Sequence, residues 1–128
     1  MNMFVKKNAK IDVEVYAWEN EQNEMEATHD KSLIPENITN AETVVFTFRK
    51  PNYLDSTNIL KKSKVQQDGE LDVANFQDVV LRILLIDWNL KDDNGEPVPI
   101  RSGQALNTLE PTVARAACAA CLEKINLF

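Results

Sequence analysis

The run Trp88-Asn-Leu-Lys-Asp-Asp-Asn-Gly-Glu-Pro-Val-Pro-Ile-Arg-Ser-Gly-Gln-Ala-Leu-Asn-Thr-Leu-Glu-Pro111 decides how the second half of this chain is assembled. It supplies an aromatic anchor, a turn at Asn94-Gly95, an extended path held by Pro97 and Pro99, and a short amphipathic turn that closes at Pro111. Punctuation this dense specifies shape and carries no catalytic pattern, so the chain reads as a scaffold or binding protein. On its N-terminal side stands Val79-Val-Leu-Arg-Ile-Leu-Leu-Ile86, apolar except for Arg82. The β-branched content of that stretch favours a strand, whereas its length favours a helix. Length is taken to decide, which predicts a buried central helix over residues 72–88. On the C-terminal side, Ser102 is placed to cap a turn bearing Ala105, Leu106 and Leu109, and Pro111 suits the first position of a last helix reaching about Asn126.

Working outward, two more helix starts are readable. Leu54-Asp55 with Ile59 fits a hydrophobic staple across an Asp cap, and Lys61, Lys62 and Lys64 fall where a helix C-terminus favours cations, giving a helix over 55–65. Gln67-Asp-Gly69 breaks it, and Leu71-Asp72 with Phe76 repeats the staple for the next helix.

The first third has a different period. Ile11-Asp-Val-Glu-Val-Tyr-Ala-Trp18 alternates, placing Ile11, Val13, Val15 and Ala17 on one face and Asp12, Glu14, Tyr16 and Trp18 on the other. Thr43-Val-Val-Phe-Thr-Phe-Arg49 is a second β-rich run able to pair with it antiparallel. Residues 19–42 between them are rich in Glu and poor in apolar side chains, and predict a long, acidic, mobile connection that orders when a partner docks. The expected fold class is therefore α+β in one domain, residues 1–128: an N-terminal antiparallel strand pair with a long acidic loop (1–50), followed by a bundle of about four helices (51–128).

The global composition excludes several functions. A net charge of −6 and a hydrophobic share of 44% describe an ordinary acidic globular domain. Nucleic-acid binding needs clustered cations to neutralise phosphate, so none is expected. No apolar run approaches the roughly 20 residues that span a bilayer, and residues 1–7 lack a secretory h-region, so a cytosolic protein without membrane contact is expected.

The chemistry-bearing residues fit no known site. Cys118-Ala-Ala-Cys121 has metal or redox spacing, but a structural zinc needs four ligands, and the single histidine, His29, is distant in sequence. A redox pair belongs at a helix N-terminus, whereas these residues fall mid-helix on a stripe with Ala114, Leu122 and Ile125, which predicts buried reduced thiols. Asp92-Asp-Asn-Gly95 lacks an EF-hand's acid at Leu90 and its Glu at Arg101, and so reads as a polar turn. Isolated glycines leave no phosphate cradle, and no nucleophile elbow is present. No enzyme activity, cofactor or metal is expected. Arg49-Lys50 reads either as a solvated strand end or as a contact for an acidic partner.

Phe46-Thr-Phe-Arg-Lys-Pro51, the buried run ending in Trp88-Asn-Leu, the Asp-Asn-Gly-Glu-Pro-Val-Pro turn, Ala105-Leu-Asn-Thr-Leu-Glu-Pro111 and the Ala-rich last helix together resemble the tail assembly chaperones of long-tailed bacteriophages. The resemblance covers about residues 44–126 and leaves the first strand and acidic loop unmatched. It implies a small protein of the host cytoplasm that binds the tape-measure protein, keeps its long helices soluble and helps recruit tail-tube subunits. It also implies a longer form made by programmed frameshift. The unmatched N-terminal part keeps a second expectation open, a structural virion subunit of a tail, connector or baseplate. On either expectation Trp88, Leu90, Pro97, Val98, Leu106 and Leu109 either pin the linker to the core or line the partner site. Ala116, Ala117, Ala119 and Ala120 leave the last helix slim enough for self-association into a homo-oligomer.

Overall fold

A computed structural model describes residues 1–63, 72–100 and 103–127. Among the described residues four strands and four α-helices follow one another as β1 (Lys10–Glu19), β2 (Met25–Thr28), β3 (Glu42–Arg49), α1 (Tyr53–Lys62), α2 (Val73–Leu84), β4 (Leu85–Trp88), α3 (Gly103–Thr108) and α4 (Pro111–Lys124). The strands form one antiparallel sheet in the order β2-β1-β3-β4. The architecture is α+β as expected, but the sheet has four strands and not two.

β1 and β3 pair as their alternation predicts, from Lys10 opposite Arg49 to Ala17 opposite Glu42. Val13, Val15 and Ala17 of β1 share the buried face with Val44, Phe46 and Phe48 of β3. On the other face, Thr47 Oγ1 donates to Asp12 Oδ1 at 2.6 Å across the pair, a polar cross-strand contact of the kind that fixes register.

Two strands were not anticipated. The 19–42 segment, expected as a long mobile loop, turns back at once through Asn20, whose Oδ1 accepts from the backbone N–H groups of Gln22 and Glu24. Asn23 takes the left-handed conformation there, with φ 60°, which Asn tolerates better than most residues. β2 then pairs with the last four residues of β1, and a 3-10 turn over Lys31–Leu33 follows, capped by Asp30. The hairpin also moves Trp18 out of solvent. Its alternation places it on the polar face, yet it is buried, with Nε1 donating to Glu26 Oε2 at 2.8 Å.

The second unanticipated strand corrects the helix predicted over 72–88. α2 starts as read, with Asp72 accepting from Asn75 N, but Leu85 leaves helical space at φ −71°, ψ 123°. The last four residues of the run pair with β3 as β4. The run has no Gly or Pro to announce a break; as a strand its backbone pairs with β3 and Trp88 is seated against Phe46 and bonded to the Val98 carbonyl, contacts that lie beyond the local sequence. A register shift between Thr47 and Phe48 lets Phe46 face Trp88 and Phe48 face Leu85.

Arg49 holds this junction. Its guanidinium ion-pairs with Asp55 in the first turn of α1 and donates to the carbonyl of Ile83 at 3.1 Å, one of the carbonyls that the end of α2 leaves without a helical partner. It is therefore not a free, solvated strand end. Asp55 is not the cap of α1 either. Asn52 caps it, Asn52 Oδ1 accepting from Asp55 N and Asp55 Oδ2 accepting from Asn52 N, a reciprocal capping box. The staple through Leu54 does not form, and Leu54 is exposed. α1 stops at Lys62, with Ser63 extended at φ −77°, ψ 119°, short of the predicted end at residue 65; Lys64, the break at Gln67-Asp-Gly69, the Leu71 staple and the Ser102 cap lie outside the described residues.

α4 lies against β1, β2 and α2. Its buried side chains are Val113, Ala116, Ala117, Cys118, Ala120 and Cys121, so the buried face is turned from the predicted stripe, with Ala114, Leu122 and Ile125 only partly buried beside it. Alanines on two sides let one helix approach the sheet and α2 together, because small side chains shorten the interaxial distance. Both ends are tied down: Thr112 Oγ1 donates to the carbonyl of Met25, and Lys124 Nζ donates to the carbonyl of Asp12 at 2.9 Å.

Candidate functional site

The linker after β4 folds back on itself. Val98 N donates to Leu90 O, Asp92 N donates to Glu96 O, and Lys91 bridges Pro97. At its tip, Asp92 Oδ1 accepts from the N–H groups of Asn94 and Glu96, so its carboxylate is spent on the turn. Gly95 has φ +77°, which is why glycine follows asparagine here. This is the polar turn predicted from sequence, and among the described residues no group of His, Cys, Asp and Glu side chains is arranged to hold a metal ion.

Trp88 closes the base of this loop. It is 8% exposed, its ring meets Phe46 edge to face at 6.1 Å, and Nε1 donates to the carbonyl of Val98 at 2.7 Å. Across from it, α3 is held to α2 by Arg82, which pairs with Asp78 and donates to Asn107 Oδ1 at 2.6 Å. These two attachments leave an open cleft of about 380 Å³ with Trp88, Leu90, Val98, Ala105 and Leu109 on its walls and Lys91, Asp93 and Glu110 among its polar lining residues.

Four of the six residues singled out in the sequence, Trp88, Leu90, Val98 and Leu109, are thus brought together at one cleft. Trp88 does so from within the core. Pro97 faces solvent on the turn, and Leu106 packs against the core away from the cleft lining. Sequence reading missed Ala105 and the charged lining, which become neighbours only through the fold.

A second cleft, about 460 Å³, opens between β1 and the end of α4, lined by Asp12, Glu14, Tyr16, His29, Glu123 and Lys124 among others. His29 Nε2 lies 2.8 Å from Glu123 Oε1, and Tyr16 Oη donates to Glu14 Oε2 at 2.8 Å, a bond that pushes the phenol above its ordinary value. β2 covers only the last residues of β1, so the remainder of this edge is open to the cleft. Lys124, bound to the Asp12 carbonyl, stands across it, a positioned charge of the sort that discourages strand addition.

The cysteines are free and buried in α4. Burial pushes the Cys118 thiol up to about 11, and burial with its neighbour pushes Cys121 up to about 12. Both are protonated at neutral pH and act as small apolar groups. Among the described residues no helix is long and apolar enough to cross a membrane. Comparison with family models, with curated proteins and with solved structures finds no match to this chain.

Proposed function

We propose that the protein is a non-enzymatic tail assembly chaperone of a long-tailed bacteriophage, which binds the tape-measure protein and tail-tube subunits in the host cytoplasm. The observation that carries this reading is the apolar cleft between the folded linker and α3. Its walls come from the stretch on which the family resemblance rests, and Leu90, Val98, Ala105 and Leu109 are only half-buried there. Such a surface, on a rigid base fixed by Trp88, suits capture of an apolar side of a helix.

The reading is tested by co-expressing the chain with the tape-measure protein encoded beside it. The expected result is that the tape-measure protein moves to the soluble fraction and co-purifies, and that purified particles lack the chaperone. A tape-measure protein that stays insoluble overturns the proposal. Fixed copy number in particles supports the alternative, a structural virion subunit. The short edge strands β2 and β4, four residues each, and the Lys124 guard on β1 argue against rings built by strand addition.

A further inference from the structure

We propose that the arm formed by residues 1–9 docks into an acidic cleft at the far end of β1 on a second copy of this chain. Four large apolar side chains within five residues of the arm, Met1, Met3, Phe4 and Val5, are exposed, Met3 at 82% and Phe4 at 85%. Lys6, Lys7 and, at the start of β1, Lys10 follow them, and no Asp or Glu precedes Asp12. All three lysines are exposed and form no ion pair among the described residues. A chain of net charge −6 thus begins β1 with an apolar, locally basic arm. Its base is fixed: Ala9 N donates to Lys6 O at 3.1 Å, and Lys50 N donates to Ala9 O at 3.0 Å. Singly exposed apolar residues are ordinary on a protein surface, but a run of large ones marks an interaction element.

The same chain carries the complement. A cleft of about 390 Å³ has Ala17, Trp18 and Met25 on its walls and Glu19, Glu42 and Asp93 among its polar lining, with no Lys, Arg or His among the described residues there. None of the three carboxylates is in an ion pair among the described residues. Sheet register places two of them, Glu42 opposite Ala17 and Glu19 opposite Met25. Apolar walls under unpaired carboxylates match an apolar side chain followed by cations. Reach assigns the cleft to another copy. Ala17 lies eight residues beyond Ala9 on an extended strand, about 26 Å away at roughly 3.3 Å per residue. Phe4 is five residues from Ala9 and extends at most about 18 Å from it. Phe4 therefore cannot enter the cleft of its own chain, and the contact joins unlike surfaces of two copies. It is independent of what the linker cleft binds.

Sedimentation velocity on the full chain over a wide concentration range is expected to show self-association that weakens as salt is raised. Lys6→Glu with Lys7→Glu reverses the arm, and Glu19→Lys with Glu42→Lys reverses the cleft. All four positions are exposed, circular dichroism checks the fold, and Asp93, which also lines the linker cleft, is left intact. Each variant alone is expected to associate at least tenfold more weakly than the parent, since arm and cleft then carry like charge. An equimolar mixture of the two is expected to regain association, because every arm again meets a cleft of opposite charge. Phe4→Ser is expected to weaken association tenfold or more without changing its salt dependence. A parent that stays monomeric throughout, variants that associate like the parent, or a mixture no stronger than either variant alone overturns the assignment. A monomeric parent that binds vesicles of phosphatidylglycerol through Lys6 and Lys7 also overturns it, giving the arm to an anionic membrane. None of these measurements uses the tape-measure protein, so the chaperone reading stands or falls separately.

Discussion

Trp88→Phe isolates the polar tie between the linker and the sheet. Phenylalanine keeps an aromatic ring against Phe46, a contact now made edge to face at an interplanar angle of 89°, and so retains an interaction worth about 0.5–1.5 kcal/mol. It loses the donor that reaches Val98 O at 2.7 Å. A hydrogen bond of this kind contributes about 1 kcal/mol net, and the half-buried position of Val98 lets water replace part of it. The smaller ring forfeits roughly another 1 kcal/mol of apolar burial at a site only 8% exposed. The expected cost is about 2 kcal/mol, or a fall in Tm of roughly 6–10 °C for a domain of this size. Urea unfolding followed by circular dichroism measures it, and the remaining Trp18 reports separately by fluorescence. Local loosening is the sharper signature: hydrogen exchange at the Val98 amide, which donates to Leu90 O, should speed up at denaturant concentrations where α4 amides remain protected. An unchanged midpoint together with parental protection at Val98 would refute the idea that Trp88 fixes the linker.

Three further perturbations address the junction, the turn and the thiols. Burial alone would raise the Asp55 carboxyl, but the hydrogen bonds from Arg49 and the Asn52 N–H outweigh it and hold the group below its ordinary 3.8. Its stabilisation is therefore present above that value and lost as pH falls through the lower folded one. Asp55→Asn should cost about 2–4 kcal/mol at neutral pH, since Arg49 is partly open to water and the cost of stranding it is moderated. Chemical denaturation should show the gap from the parent shrinking only below about pH 4; a gap independent of pH down to 2 would contradict the assignment. Gly95→Ala meets no atom within 4 Å, so its expected cost of about 1 kcal/mol is purely conformational, and Gly95→Asn should cost less; equal stability of all three proteins in urea would remove the argument. Cys118 and Cys121 should resist a thiol reagent at pH 8 in the native protein and react on unfolding, and Cys121→Ser should destabilise by about 1–3 kcal/mol through a buried hydroxyl. Rapid native labelling, followed by absorbance, would show that α4 is not packed as described.

What was legible in the sequence was whatever local pattern could specify. The alternation in 11–18 and 43–49 gave β1 and β3 with their inner faces, Asp72 gave the start of α2, Pro111 gave the start of α4, and Asn94-Gly95 gave the turn. β2 and β4 were hidden because four-residue strands owe their existence to a neighbour distant in sequence, β4 meeting β3 some forty residues earlier. No periodicity in Val79–Ile86 records that the helix stops at Leu84. Trp18 was misplaced for the same reason: its face is polar by alternation, and only the returning hairpin with Glu26 buries it.

The cleft was half legible for a related reason. Its apolar walls could be nominated from the linker, but the role of each depends on what lies behind it. Trp88 faces Phe46 and is spent on folding, whereas Leu90, Val98 and Leu109 have one side on the core and one on the opening. The α1 surface was obscured by an assignment that was locally reasonable: reading Asp55 as the cap made Leu54 a staple and so assigned it a buried role. Moving the cap three residues back to Asn52 turns Asp55 inward to Arg49, frees Leu54 and leaves Tyr53, Leu54 and Leu60 facing solvent. One ion pair thus joins the sheet to two helices while leaving the outer side of α1 without an acid of its own. The same carboxylate therefore ties the junction together from the inward side of α1 and leaves the large apolar side chains of its first turn, Tyr53 and Leu54, to solvent.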